Sequence, residues 1–237
     1  MSRIWQSTVL LSALATEAAL AAQAPIRPVV YELFTSEGCS SCPPAELIVN
    51  ELAQRADVLA LSYHVDYWDQ LGWPDRYSLT EATERQRGYA RALRQSSIYT
   101  PEAVVDGSLD LVGSQRVAVT RAIAGERIGV ATSLSLQAGI IHIHVGDGPI
   151  RSSVADVLLV GYLRRAVTDV GRGENSGRRL TESNIVRVLR PLGPWNGAPR
   201  DYQLEVASLP DETTDVAVLI QSAGQGAILG AVRQSIR

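Results

Sequence analysis

Two cysteines three residues apart, Cys39-Ser40-Ser41-Cys42, constrain this chain more than any other feature. They are its only cysteines. Placed at random, two cysteines would land at that spacing roughly once in a hundred times. A disulfide across so small a loop adds at most about 2 kcal/mol by the loop-entropy estimate. Stapling is therefore a poor reason for the pair, and thiol chemistry is a better one. Upstream, the apolar, branched and aromatic run Val29-Val30-Tyr31-Glu32-Leu33-Phe34 predicts a buried strand, with a turn over Thr35–Gly38. Downstream come Pro43 and Pro44, then a segment from Ala45 to Ala53 with Leu47, Ile48 and Leu52 at helical spacing, then a second strand over Val58–Val65. Strand, Cys-x-x-Cys, helix, strand is the beginning of a βαβ unit.

Composition removes several alternatives. A net charge of −3 gives no reason to expect a nucleic-acid partner. All 22 basic residues are Arg, which removes Schiff-base chemistry and the Gly-Lys-Ser/Thr phosphate loop. His64, His142 and His144 are the only histidines. No bound cofactor is expected. The length of 237 residues suits one large domain or two small ones.

Residues 1–24 read as an export signal. Arg3 supplies positive charge, Thr8–Ala22 is mostly apolar, and Ala19-Leu20-Ala21 is a small-x-small cleavage pattern, although Glu17 interrupts the run. The run is too short to span a bilayer, and no other stretch offers the ~20 apolar residues needed. A periplasmic or secreted protein is expected, with no stable membrane span after cleavage.

Residues 25–128 read as an α/β domain. Asp66–Tyr77 is an aromatic-rich insertion. Ser78-Leu79-Thr80-Glu81 fits a capping box for a helix to about Arg94. Thr100-Pro101 then precedes a predicted hairpin, Ala103-Val104-Val105 and Leu109–Val112 about Asp106-Gly107, and Ser114 can cap a last helix to about Glu126. From residue 129 to 237 many short strand-like runs with turn residues between them predict a β-sandwich-like domain. Gly171–Arg179 is a Gly- and Arg-rich loop.

The first domain resembles thioredoxin over about residues 28–127, in the strand ending Leu33-Phe34, the Cys-x-x-Cys opening a helix, the Pro before the next strand and the Asp-Gly hairpin. The run from Glu32 to Glu46 is similar to a narrower group, secreted thioredoxin-like bacterial proteins of unknown function. Tyr67-Trp68-Asp69, Gly107 and Gly173-Glu174-Asn175-Ser176-Gly177-Arg178 share that similarity. The resemblance implies a thioredoxin-like fold and an exported location, but no substrate. It also implies that the Thr100–Pro101 peptide is cis and lies beside the cysteines, leaving a backbone edge for an extended polypeptide.

The expected activity is thiol–disulfide exchange on protein thiols, together with a further redox partner. A helix N-terminus favours an anion and lowers a Cys pKa below ~8.5. Cys39, taken as the more exposed, is assigned as nucleophile, and Cys42 as the resolving thiol. Pro43 and Pro44 lack N–H groups, so the helix starts nearer Cys42 than Cys39, which weakens the dipole's hold on Cys39. Glu32, if buried, has a raised pKa and passes protons to Cys42; alternatively it pairs with an Arg or points outwards. Period-two alternation puts His64, Asp66 and Trp68 on one face, so that Trp68, with Thr100, lines a substrate site. Two other readings compete with redox chemistry. One is a soft-metal site in which Cys39 and Cys42, with His64, hold Cu(I). The other is a binding protein without catalysis. His142 and His144 share a strand face but lack a third ligand nearby. Arg172, Arg178 and Arg179 read as a solvated loop, or as a dock for an anion or the second domain.

Overall fold

The computed structural model describes residues 25–150 and 154–237, and the leader expected over residues 1–24 lies outside the described residues. The chain opens with β1 (Ile26–Arg27) and β2 (Val29–Thr35), followed after the cysteines by α1 (Pro43–Leu52) and β3 (Val58–His64). A 3-10 turn (Asp66–Trp68) leads to α2 (Thr80–Ala92), β4 (Glu102–Val105), β5 (Leu109–Val112), α3 (Arg116–Ala122) and β6 (Arg127–Ile128). The remainder is almost all strand: β7 (Thr132–Gln137), β8 (Ile140–Val145), β9 (Ala155–Asp169), β10 (Arg179–Trp195), β11 (Arg200–Glu205), β12 (Asp215–Ser222) and β13 (Ile228–Ser235). Among the described residues no helix is long and apolar enough to cross a membrane.

One eight-stranded sheet, ordered β13-β12-β9-β10-β3-β2-β4-β5, runs through both the region before residue 129 and the region after it. The pairings β2–β3 and β3–β10 are parallel, the latter with Ile185 opposite Ser62. The neighbours β9–β10, β9–β12, β12–β13, β2–β4 and β4–β5 are antiparallel. Because β2 and β3 are covered on both sides, each is buried at every position and mostly apolar, with Glu32, Thr35, Ser62 and His64 as the exceptions. Their alternation sorts two cores. Tyr31, Leu33, Val58 and Ala60 pack with Ala45, Ile48, Val49 and Leu52 of α1 and with Val119 of α3. Phe34, Leu59, Leu61 and Tyr63 face α2, where they share a core with Val160, Val186 and Leu219. With ten residues, α1 is shorter than the ~12–15 at which an isolated helix is even marginal, so this packing holds it. A three-stranded sheet, β11-β8-β7, covers the later strands through a third core that contains Ile141, Ile143, Trp195 and Val218.

Two local features depart from expectation. The capping box over Ser78–Glu81 does not form: α2 starts at Thr80 behind Leu79 without a side-chain cap. Ser78 Oγ instead donates to Asp69 Oδ2 at 2.7 Å, because the aromatic insertion offers a carboxylate closer than the helix N–H groups. In β10, Asn184 takes φ 52°, a left-handed conformation that Asn tolerates better than most residues. Its side chain donates to the Ala60 carbonyl at 2.8 Å and ties β10 to β3 where their pairing is brief.

Candidate functional site

The strand β2 delivers the chain to the turn Ser36–Gly38, and the cysteines follow at the start of α1. Cys39 and Cys42 form a disulfide with Cα atoms 5.4 Å apart. Cys42 is the N-cap of α1, and Pro43 and Pro44 occupy its first two positions, where missing N–H groups cost nothing. The first two available helix N–H groups, on Ala45 and Glu46, both donate to the Cys42 carbonyl, at 2.8 and 3.2 Å. Hydroxyls contact the Cys39 sulfur instead: Thr100 Oγ1 donates to it at 3.3 Å, and Ser41 Oγ lies 3.3 Å away.

The expectation that Cys39 is the more exposed cysteine is corrected: both are buried, Cys39 at 0% and Cys42 at 1% exposure. The cover has two parts. Thr100, whose peptide bond to Pro101 is cis, lies against Cys39, and Trp68 Nε1 donates to its hydroxyl at 2.9 Å. On the other side the Gly-rich loop between β9 and β10 folds over the motif. The buried Asn175 carboxamide donates to the carbonyls of Glu37 and Cys39, both at 2.9 Å. Glu174 Oε2 accepts from the Ser40 N–H at 3.2 Å. Ser40 and Ser41 are left exposed. The geometry thus presents a disulfide buried beneath Thr100 and the β9–β10 loop.

A buried acid and base cluster lies on the α1 face of the sheet. His64 ends β3 on the same face as Ser62, and its Nδ1 is 2.7 Å from Asp75 Oδ2. Asp75 also accepts from the N–H groups of Glu37 and Tyr77, at 2.8 and 2.9 Å. Glu46, one turn along α1 from Cys42, accepts from Ser62 Oγ at 3.3 Å. Glu182 of β10 reaches within 3.8 Å of His64 Nε2. Burial opposes the charged imidazole, but the Asp75 and Glu182 carboxylates outweigh it and hold His64 up at about 10. Burial likewise opposes the Asp75 carboxylate, and His64 outweighs it, so Asp75 lies below the ordinary range. Burial pushes Glu182 up to about 8 against the pull of His64, and raises Glu46 in the same way. Burial and the neighbouring Asp75 raise Glu37, whose Oε2 accepts from Trp73 Nε1 at 2.6 Å.

The structure brings together Cys39, Cys42, Thr100, Pro101 and Trp68, and leaves Glu32 apart from them. Alternation places Glu32 on the α2 face of β2, where Arg85 donates to its two oxygens at 2.7 and 3.0 Å and Tyr89 donates to Oε2. A proton path from Glu32 to Cys42 is therefore corrected to a buried ion pair, the alternative the sequence also allowed. His64 and Trp68 part company because the chain turns into its 3-10 segment after Val65. Asp66 accepts from Thr80 and Thr83 at 2.8 and 2.6 Å and so anchors α2. For a Cu(I) site, both sulfurs are engaged in the disulfide and the His64 ring faces carboxylates. His142 and His144 lie on β8, far along the chain from this site, where His144 Nδ1 pairs with Asp201 at 2.7 Å near the surface. Arg179 pairs with Asp169 at 3.4 Å in solvent. Sequence reasoning missed Asn175, Glu174, Glu46 and Glu182. The only signal for the first two was the Gly-Glu-Asn-Ser-Gly stretch, and the latter two are acids at otherwise buried positions of their elements.

Three comparisons bear on this site. A family model described as a protein of unknown function, DUF1223, matches residues 30–221. A crystal structure of an Agrobacterium tumefaciens protein, solved as a structural-genomics target, is 33% identical with a TM-score of 0.75, covering 90% of this chain and 96% of that one. HBP35 of Porphyromonas gingivalis is similar in fold alone, with 13% identity, a TM-score of 0.59 and coverage of 89% of this chain and 75% of that one. No curated protein matches the chain.

Proposed function

This chain belongs to the DUF1223 family, and we propose that it is a thiol–disulfide oxidoreductase built on a thioredoxin-like arrangement, with a β-rich C-terminal region over its site. The observation that carries the reading is the Cys39–Cys42 disulfide at the start of α1, with the Thr100 hydroxyl on the Cys39 sulfur. In the dithiol form the Cys39 thiolate attacks a sulfur of a client disulfide. One client sulfur leaves as thiolate and the other is held as a mixed disulfide. Cys42, as thiolate, then attacks the Cys39 sulfur, releases the second client thiol and closes the Cys39–Cys42 bond. Two electrons pass from the protein to the client, and the reverse sequence oxidises a client dithiol. The Thr100 and Ser41 hydroxyls favour the Cys39 thiolate, the work that helix N–H groups do at an ordinary helix start. Clients are protein thiols or disulfides, and a separate redox partner resets the pair.

We also place this activity in the periplasm or outside the cell, on the support of the leader-like residues 1–24. The test is equilibration of the purified chain in graded glutathione buffers, with alkylated cysteines counted by mass and Cu(I) present in a parallel series. A reversible two-electron midpoint is expected. Cys39→Ser abolishes exchange, and Cys42→Ser accumulates a mixed disulfide. A disulfide that stays unreduced in the native protein sinks the reading, as does tight Cu(I) uptake by a dithiol that exchanges with nothing.

A further inference from the structure

Three buried side chains of metal-ligand type converge on the α1 face of the sheet. The nearest ligand atoms of Glu46, His64 and Glu182 all lie within 4.8 Å of one another, and these residues are 5%, 0% and 1% exposed. His64 Nε2, Glu46 Oε1 and Glu182 Oε2 have no hydrogen-bond partner. The His64–Glu182 approach, at 3.8 Å, is too long for a hydrogen bond. Native interiors pair the large majority of such atoms. Here each of three neighbouring side chains carries an unpaired one.

The other side of the ring is organised as well. His64 Nδ1 is held by Asp75, which is itself fixed by two backbone N–H groups. A carboxylate on one imidazole nitrogen is the arrangement that orients the ring and presents the opposite nitrogen to a metal ion. We propose that Glu46, His64 and Glu182 form a buried site for one divalent transition-metal ion of the zinc class, which goes beyond the thiol chemistry.

The donor set selects the ion class. One imidazole nitrogen and two carboxylate oxygens suit Zn²⁺ and its neighbours. Ca²⁺ requires six to eight oxygens and Mg²⁺ an octahedral, largely hydrated shell. Cu(I) wants soft sulfur, and both sulfurs are tied in the disulfide. Distances allow it after a small closure: with metal–ligand bonds of about 2.1 Å, two ligands of a tetrahedral ion lie about 3.4 Å apart. The His64–Glu182 pair at 3.8 Å is already near that separation. A pair at the full 4.8 Å has to close by about 1.4 Å, a movement within the reach of carboxylate side-chain rotation. Charge balance points the same way. Asp75, Glu46 and Glu182 surround a single imidazole, and among the described residues no guanidinium pairs with any of them. Access is provided by a surface hollow of about 450 Å³ between Pro43-Pro44 and Arg178–Thr181, to whose lining Glu46 contributes.

The test is a titration of the oxidised, EDTA-treated full chain with ZnCl2, followed by CoCl2 as a spectroscopic probe. One equivalent of Zn²⁺ binds, and the Co²⁺ form shows visible d–d bands without a sulfur charge-transfer band. The Cys39→Ser/Cys42→Ser double variant keeps the site, which separates this proposal from the redox reading. Glu182→Gln and Glu46→Gln each weaken binding at least a hundredfold, and Asp75→Asn weakens it about ten- to hundredfold. Both Gln variants keep the side-chain shape and replace an acid whose charged form burial already disfavours. Their metal-free melting temperatures are therefore expected to hold or rise, while the Zn²⁺-dependent rise of the wild type is lost. Absence of stoichiometric uptake by the oxidised chain overturns the proposal. So does uptake that survives both Gln variants or that needs free thiols.

Discussion

The Asn175 carboxamide donates to the main-chain carbonyl of Cys39 at 2.9 Å, across a sequence separation of 136 residues. The same nitrogen reaches the Glu37 carbonyl, so one buried side chain from the β9–β10 loop satisfies two acceptors of the cysteine loop. Asn175→Ala leaves the Glu37 carbonyl unpaired and the Cys39 carbonyl with only the Cys42 N–H at 3.2 Å, so a loss of about 1–3 kcal/mol is expected in urea unfolding. Because the loop also covers the disulfide, native-state reduction by dithiothreitol is expected to quicken by about tenfold or more, following the cost of opening. An unchanged reduction rate in a destabilised variant would show that the cover lies elsewhere.

Thr100→Val tests the hydroxyl contact to sulfur. The substitution keeps the side-chain shape and removes the donor 3.3 Å from Cys39 Sγ, while Trp68 Nε1 loses its acceptor. A hydrogen bond of this kind contributes about 0.5–1.5 kcal/mol. Alkylation of Cys39 in the reduced protein at pH 7 is therefore expected to slow by about three- to tenfold. Trp68→Phe, which leaves Thr100 in place, changes the rate less. Equal rates for Thr100→Val and wild type would remove the hydroxyl from the thiolate's environment.

Glu32 and Arg85 form a buried pair with Tyr89 and Gln221, and either single replacement strands a charge. Arg85→Leu and Glu32→Gln are each expected to cost about 3–5 kcal/mol. The double replacement Glu32→Leu/Arg85→Leu should cost clearly less than the sum, giving a coupling measurable by a double-mutant cycle. Exchange rates of the folded variants stay within about twofold of wild type, since neither residue approaches the sulfurs. A selective collapse of the resolution step in Glu32→Gln would restore Glu32 as a proton donor.

Gly107 has φ +66°, and a Cβ there would lie 2.4 Å from the Gly226 carbonyl oxygen. This turn joins β4 to β5 and abuts the turn joining β12 to β13; the backbone is close enough that Ile228 N donates to the Asp106 carbonyl at 3.0 Å. Gly107→Ala combines a disfavoured backbone with a clash against main chain, for an expected loss of about 2–4 kcal/mol by denaturant midpoint. Gly139, with φ +78° and nothing within 4 Å of a Cβ, should show only the backbone part of that loss on the same substitution.

Much of the local structure is legible in the sequence because burial on one or two faces writes a period. Val29–Phe34 and Val58–Val65 read as buried strands and lie within or against β2 and β3. Pro43 and Pro44 placed the helix start at Cys42 for a reason that the N-cap geometry repeats. What the residues do not write is which strand lies beside which. Nothing in the run around Ile185 says that it pairs in parallel with β3, since that partner is set by tertiary packing. The same gap hid Asn175 and Glu182, which reach the site only through that pairing and the loop before it. Glu32 is a related case: the residues leave open whether it is buried, paired with an Arg or exposed, and the face it occupies follows from strand phase relative to α1.

The pairing of β10 with β3 has a consequence in time. A chain emerging from the ribosome or a translocation pore presents Cys39 long before Asn175 and β10 exist. Contacts over such separations form late, after the local helix and strands have had time to appear. Until they do, the β3 edge is open and nothing from the later half lies over the two sulfurs. The incomplete chain therefore presents the two sulfurs without the cover that the folded chain places over them.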